Sequence, residues 1–405
     1  MPQNLLVPGA VLPVDVVNPQ GQLVLRRGAV LEDVAQLDRL CAHKPCISPE
    51  DARAWQRAYE REVQRAMRSN AQGKPPEQVP MPAAIDEQDY VEPSTHLFRG
   101  DWLDAQELLR VLLFHGGLFM DPMPRLRMIE ERVTHWIQTD ADDSLFRLFQ
   151  TLAKPALGYS ATHALLCLTV TQLTAEKLGL DVQVQRALRY AALTMNIGIG
   201  RIQDAMALQS TPLTAEQRAQ VQARPKISHD ILQGFGLNDP LVLDLVRWHH
   251  EPAHELAHQD HYLPRLVLHM ANVLVAKMAA RQTRASLSPK SAERAMYLTA
   301  SNDQDSATVS AAMAAAVGFF PPGSYVVMNN GDTAISVRRG HNANTPWVVP
   351  ISDARGLPYG QYAAIDTSLR AHGIAQGLNF ERVRLNLQID KILQARDRTA
   401  VLRPA

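Results

Sequence analysis

Apolar and polar positions alternate over the first 50 residues on both sides of "NPQGQ", with Val14, Val16 and Val17 before the turn and Leu23 and Leu25 after it. This two-residue period predicts a small hairpin followed by a short helix. Residues 50 to 68 follow a polar helical pattern. "NAQGKPPEQVPMPAAIDEQDYVEPS" then brings five prolines with few large apolar side chains, so residues up to about 100 are expected to be a linker or a long excursion. From Trp102 the apolar positions recur at helical spacing in "WLDAQELLRVLLFHGG", "PRLRMIEERVTHWIQ" and "DDSLFRLFQTLAK". The helical signal continues to about residue 300.

Beyond that point the period changes again. "GSYVVMNNGDTAISVRRG" is two alternating runs around Asn330 and Gly331, a strong hairpin signal, and "TPWVVPISDARGLPYG" adds a strand and a turn. The expected order is therefore a regulatory hairpin and helix module (1–50), a helix and Pro-rich linker (51–100), a helical domain (101–300), a small β module (301–365) and a tail with an amphipathic segment (366–405). The fold class is mainly α, with a small β module on either side of a helical core. No repeat recurs at solenoid periods.

Composition narrows the function classes. The chain has 405 residues, of which 46% are hydrophobic and 20% charged, and this suffices for a sizeable core. Its 41 basic and 41 acidic side chains cancel, so no global field draws it to nucleic acid or an anionic membrane. "TRASLSPK" and the Arg-rich end from Arg396 read as solvated surface. The first twenty residues lack a basic start and an unbroken apolar core, and no later run reaches the roughly eighteen apolar residues of a membrane span. A cytoplasmic location is the expectation. Cys41, Cys46 and Cys167 are too few for a disulfide framework, and a lone C-x4-C is a weak zinc signal, so they read as structural cysteines.

Candidate chemistry sits in the helical stretch. "SATHALLCLTVTQLTAEKLGL", "ALRYAALTMNIGIGRIQDAMALQSTPLTAEQRAQVQARPKISHDILQGF", "LVRWHHE", "LPRLVLHMANVLVAKM" and "GFFPPGSYVVMNNGDTAISV" follow one another in that order. In order and spacing they resemble an HD-GYP domain, the bacterial family of metal-dependent cyclic di-GMP phosphodiesterases, over about residues 155 to 350. The hairpin with "GQLVLRRGAVL" is similar to a small regulatory segment often found ahead of such domains. The resemblance implies a helical HD-domain-like core. It also implies a centre of two or three iron or manganese ions held by a histidine on the first helix, a His-Asp pair, a histidine before a proline, a double histidine and a later aspartate.

Only part of that ligand set is present. His163 keeps the first position, and His249 and His250 keep the pair. The position of an accompanying glutamate is Tyr159, the His-Asp pair is Met195 and Asn196, the histidine before proline is Arg224, and the later aspartate is Asn272. Ile199 stands where a lysine follows the pair, and no "GYP" lies between "HHE" and "LPRLVL".

Neighbouring divalent ions need anionic ligands to offset their charge, and no carboxylate remains at these positions. Asn196 and Asn272 offer neutral carbonyls, Met195 offers a soft thioether, and Arg224 brings a fixed cation. No catalytic residue and no cofactor are expected, although three imidazoles plus water remain a known zinc pattern and leave a residual single ion conceivable. His249 and His250 point about 100° apart on a regular helix and need local geometry to converge.

Three functions follow as expectations. The first is a non-catalytic signalling module in cyclic di-GMP-related signalling, acting on a diguanylate cyclase, a response regulator or a motility component. The second is a ligand sensor in which Arg224, with His163, His249 and His250, forms a metal-free cationic pocket for a phosphate or a cyclic dinucleotide. The third is residual metal-dependent phosphodiesterase activity.

Overall fold

The computed structural model describes residues 9, 11–19, 22–42, 45–69, 84–86, 101–118, 121–281, 284–292, 294 and 304–398. Most of the expected Pro-rich linker and the last seven residues of the tail lie outside them. The chain is mainly helical, with two small antiparallel sheets. It divides into two compact units, one of residues 1–107 and 118–122, the other of residues 108–117 and 123–405.

In the first unit, β1 (Val16–Val17) pairs antiparallel with β2 (Leu23–Leu25), and α1 (Val34–Ala42) and α2 (Pro49–Ser69) follow. The apolar side chains of this stretch divide between two clusters. Val16 packs with Leu12, Leu31 and Leu40, whereas Val14 packs with Ala54, Trp55, Ala58 and Ile85. Val17 bonds through both backbone groups to Cys46, at 2.8 and 2.7 Å. Ser48 caps α2 by accepting from the backbone N–H of Asp51 at 2.9 Å, a three-residue offset that satisfies one of the otherwise unpaired donors of the first turn.

The helix α3 (Trp102–His115) passes from the first unit into the second at Leu108. The second unit then holds α4 (Pro122–Thr139), α5 (Ala141–Leu152), α6 (Tyr159–Lys177), α7 (Val182–Thr194), α8 (Gly200–Leu208), α9 (Ala215–Gly234), α10 (Pro240–Trp248), α11 (Tyr262–Met278) and α12 (Gln304–Val317). At its centre, α6 is buried continuously from Tyr159 to Ala175 and packs against α5, α7, α11 and α12. A helix apolar on every face has to be surrounded, and this one is. Four of its threonine hydroxyls are satisfied locally: Thr162, Thr169, Thr171 and Thr174 each donate to a carbonyl four residues back at 2.7 to 2.9 Å.

After α12 comes a five-stranded antiparallel sheet in the order β6 (Ile365–Asp366), β5 (Trp347–Ser352), β4 (Thr333–Arg338), β3 (Tyr325–Met328), β7 (Ile374–Leu378). The β3–β4 turn holds Gly331 at φ 89°, a left-handed conformation that glycine adopts without a Cβ penalty. The sheet runs past residue 365, taking its edge strand β7 from the stretch expected to be tail, and a helix, α12, fills the start of the stretch expected to be β. The amphipathic segment near the end forms α13 (Ile389–Arg398), whose Arg396 pairs with Asp140 and Asp143 at 3.3 Å.

Candidate functional site: a cationic histidine cluster

The site begins at the first turn of α6. Gly158 takes φ 112°, reversing the chain ahead of the helix, and has no side chain with which to cap it. The carboxylate of Asp204 on α8 does so instead, accepting from Ser160 N–H at 2.6 Å while pairing with Arg110 at 3.0 Å. Burial pushes the Asp204 carboxyl above its usual range, against the pull of Arg110 and Ser160.

This fixes Tyr159 and His163, one turn apart on the inward face, with ring centroids 5.5 Å apart. His163 is 1% exposed, and its Nδ1 lies 3.6 Å from the Cys167 thiol. Burial, with the guanidinium groups of Arg281 and Arg224, lowers the His163 imidazole to about 3, while a hydrogen bond with the Asn272 backbone pulls the other way. The ring is therefore neutral at physiological pH, and burial raises the Cys167 thiol well above its usual range.

Met195 and Asn196, the positions that the resemblance sets against a His-Asp pair, follow α7. Met195 is wholly buried in the apolar core, and Ile199 is buried with it. Asn196 is also buried, and neither its Oδ1 nor its Nδ2 has a hydrogen-bond partner within the described protein. The two glycines of "NIGIG" serve close packing. Gly198 donates its N–H to Ser228 Oγ on α9 at 3.1 Å, and a Cβ there would stand 2.8 Å from the Ile227 side chain. Arg224 lies one turn before Ser228 on the same face of α9.

The paired histidines lie where α10 ends, and this supplies the local geometry that a regular helix lacks. His249 is the C-cap residue and points Nδ1 at the Val246 carbonyl, 3.0 Å away. His250 turns back so that the two ring centroids are 4.0 Å apart. The His249 carbonyl accepts from Nδ1 of His269 on α11 at 2.8 Å. The following loop is held by the buried Arg265, which donates to Pro252 O at 2.9 Å and His258 O at 2.7 Å and pairs with Asp244 at 2.5 Å.

Into this group comes Arg224, with Nη2 packed directly against His250 Nε2. Burial and Arg281 lower the Arg224 guanidinium to about 10, against a raising influence of Tyr159. Burial, His249 and Arg224 together drive the His250 imidazole far below its ordinary range, and His249 falls to about 3 for similar reasons. Arg281, beyond the end of α11, donates from Nη2 to the Tyr159 hydroxyl at 2.9 Å and lies 5.2 Å from the centre of that ring.

Of the residues singled out by the sequence, Arg224 touches His250 and His250 packs on His249, while Tyr159 packs on His163 and Asn272 reaches His163 through its backbone. Met195 and Ile199 serve the apolar packing. Arg281 and His269 were not anticipated. His269 could have been found as an isolated imidazole in the apolar run "RLVLHMANVLV", three residues before Asn272, but Arg281 sits in an ordinary polar stretch with no such signal.

The side chains present do not fit the metal centre implied by the resemblance. A guanidinium faces the His250 nitrogen that would donate to an ion, and no group of three His, Cys, Asp or Glu side chains among the described residues is placed to hold one. Chemically the cluster offers neutral imidazoles, a phenol and two guanidinium groups, which donate hydrogen bonds and attract anions.

No family model and no curated protein matches the sequence. Among solved structures, Bd1817, an HDG"Y"P protein from Bdellovibrio bacteriovorus, is similar at a TM-score of 0.39 and 14% identity, over 75% of this chain and 94% of that one.

Proposed function

We propose that the protein is a non-catalytic signalling module built on an HD-GYP-like scaffold, acting through contact with a partner such as a diguanylate cyclase or a response regulator. The observation that carries this reading is the Arg224 guanidinium seated against His250 Nε2 in a cluster with no paired carboxylate among the described residues. Hydrolysis of a phosphodiester by metal ions needs an activated hydroxide and a counter-charge for the transition state, and a fixed cation among the ligands opposes binding of the ions that supply both. Purified protein supplied with iron or manganese is expected to hold well under one ion per chain and to leave cyclic di-GMP intact. Metal-dependent formation of the linear dinucleotide, abolished in His250→Ala, would restore the phosphodiesterase reading.

A second reading, a sensor of cyclic dinucleotides, rests on a different observation. Arg224 and Arg281 are both half-buried, and neither forms an ion pair with a carboxylate among the described residues. Guanidinium groups bind phosphate oxygens in a bidentate fork, which suits them to that ligand.

A further inference from the structure

An edge strand offers unpaired N–H and C=O groups to any extended chain that reaches it, and native sheets blunt such edges with charge, proline, bulges or short length. The sheet that follows α12 ends on one side in β6, two residues long, and on the other in β7, five residues long. β7 carries neither a charged side chain nor a proline. Its one irregularity is a register shift at Ala375, which opposes no β3 residue between the pairs of Val327 and Met328. Among the described residues, no backbone bond leaves Ile374–Leu378 other than those to β3.

A cleft of about 510 Å³ opens beside this edge. Its β7 side is Ala375, Gln376 and Gly377, where only Gln376 has a side chain larger than a methyl group, so the strand's backbone is within reach. Lys290 and Arg294 line it as well. Both are exposed and both have helical backbone, four residues apart, the spacing that puts side chains on one helix face. Like charges at that spacing repel each other. Among the described residues, no acidic side chain lines the cleft and neither cation has a carboxylate partner.

We infer that the outer edge of β7 and this cleft bind an extended acidic segment of a partner protein as an added strand. The inference deepens the signalling-module reading, on which it rests for the existence of a partner, by naming the surface and the chemistry that hold it. Backbone bonds to β7 supply the attachment, and the cations select the occupant. Residues four apart on a helix are separated by a rise of about 6 Å, and alternate residues of a strand by about 6.7 Å, so two carboxylates at acid-x-acid spacing reach both cations at once. A second copy of this chain would bring the same basic edge instead of carboxylates.

Fluorescence anisotropy of the full chain with a rhodamine-labelled peptide, acetyl-Thr-Val-Glu-Val-Glu-Val-Thr-amide, tests this beside the same peptide carrying Lys for Glu. The acidic peptide is expected to bind and the basic one to bind at least about tenfold more weakly. Lys290→Gln with Arg294→Gln, at two exposed positions, is expected to weaken the acidic peptide by about tenfold, as loss of two ion pairs does. Lys226→Gln, which removes an exposed cation paired with Asp230 on α9, is expected to leave binding unchanged. Of two peptides N-methylated at alternate residues, one on each set, at least one is expected to lose binding, because only one edge of the peptide faces β7. Hydrogen exchange of the amides of residues 374–378 is expected to slow when the peptide is bound. No binding at millimolar concentration, equal binding of the acidic and basic peptides, or unchanged binding in the double variant would overturn the inference. Binding that survives both methylation sets would mean a charge contact without an added strand and would overturn it too. A dimer by sedimentation that protects these amides without peptide would assign the edge to a second copy instead. Metal content and cyclic di-GMP turnover test the non-catalytic reading separately from all of these outcomes.

Discussion

Gly200 opens α8 with its Cα pressed against the end of α3, where an added Cβ would lie 2.6 Å from the Leu113 carbonyl oxygen. Backbone cannot retreat as a flexible side chain can, so Gly200→Ala is expected to cost about 1 to 3 kcal/mol, as overpacking does. Gly234, in the last turn of α9, has nothing within 4 Å of the corresponding position. Gly234→Ala is expected to leave stability unchanged or raise it by about 0.5 kcal/mol through the lower chain entropy of alanine. Urea denaturation of both variants separates the two cases, and an equal effect would show that glycine content rather than packing governs this region. The sequence displayed these glycines without their reasons, because the Leu113 carbonyl that selects Gly200 lies 87 positions earlier.

Elements built on strong periodicity were readable: the β1–β2 hairpin and the β3–β4 turn at Gly331 fall where the pattern puts them. The edge strand β7 was not. "IAQGL" alternates weakly and leaves Ala375 and Gln376 exposed, so its pairing with β3 is fixed by backbone bonds and not by an apolar face. What secures the chain just beyond β7 is Glu381. Burial raises its carboxyl, but the hydroxyl and N–H of Ser286 outweigh burial and hold it below the usual carboxylate range. A carboxyl lowered by folding contributes stability that is full above its unfolded pKa and is lost as the pH falls through the folded value. The melting temperature is therefore expected to fall on acidification below about pH 5, and less steeply in Glu381→Gln. Parallel pH profiles for the two proteins would remove Glu381 from this role.

The candidate site draws on α6, α9, the end of α10, α11 and the segment after it, so its residues span more than a hundred positions. Their identities were visible one at a time, as His163, Arg224, His249 and His250, because each stands in a recognisable local pattern. Their mutual relation was not, since the contact of Arg224 with His250 and the bond of Arg281 to Tyr159 depend on how the helices pack. Building a metal centre therefore requires changes on several helices at once. Met195→His with Asn196→Asp supplies one imidazole and one carboxylate, yet leaves the Arg224 cation against the His250 nitrogen and a neutral amide at Asn272. That double variant is expected to hold well under one manganese ion per chain by elemental analysis. Adding Arg224→His and Asn272→Asp removes the cation and brings a second carboxylate, so metal content is expected to rise toward stoichiometry only in the fourfold variant. Near-stoichiometric manganese in the double variant would mean that Arg224 is no obstacle to the ion, and the electrostatic argument for a non-catalytic protein would fail with it.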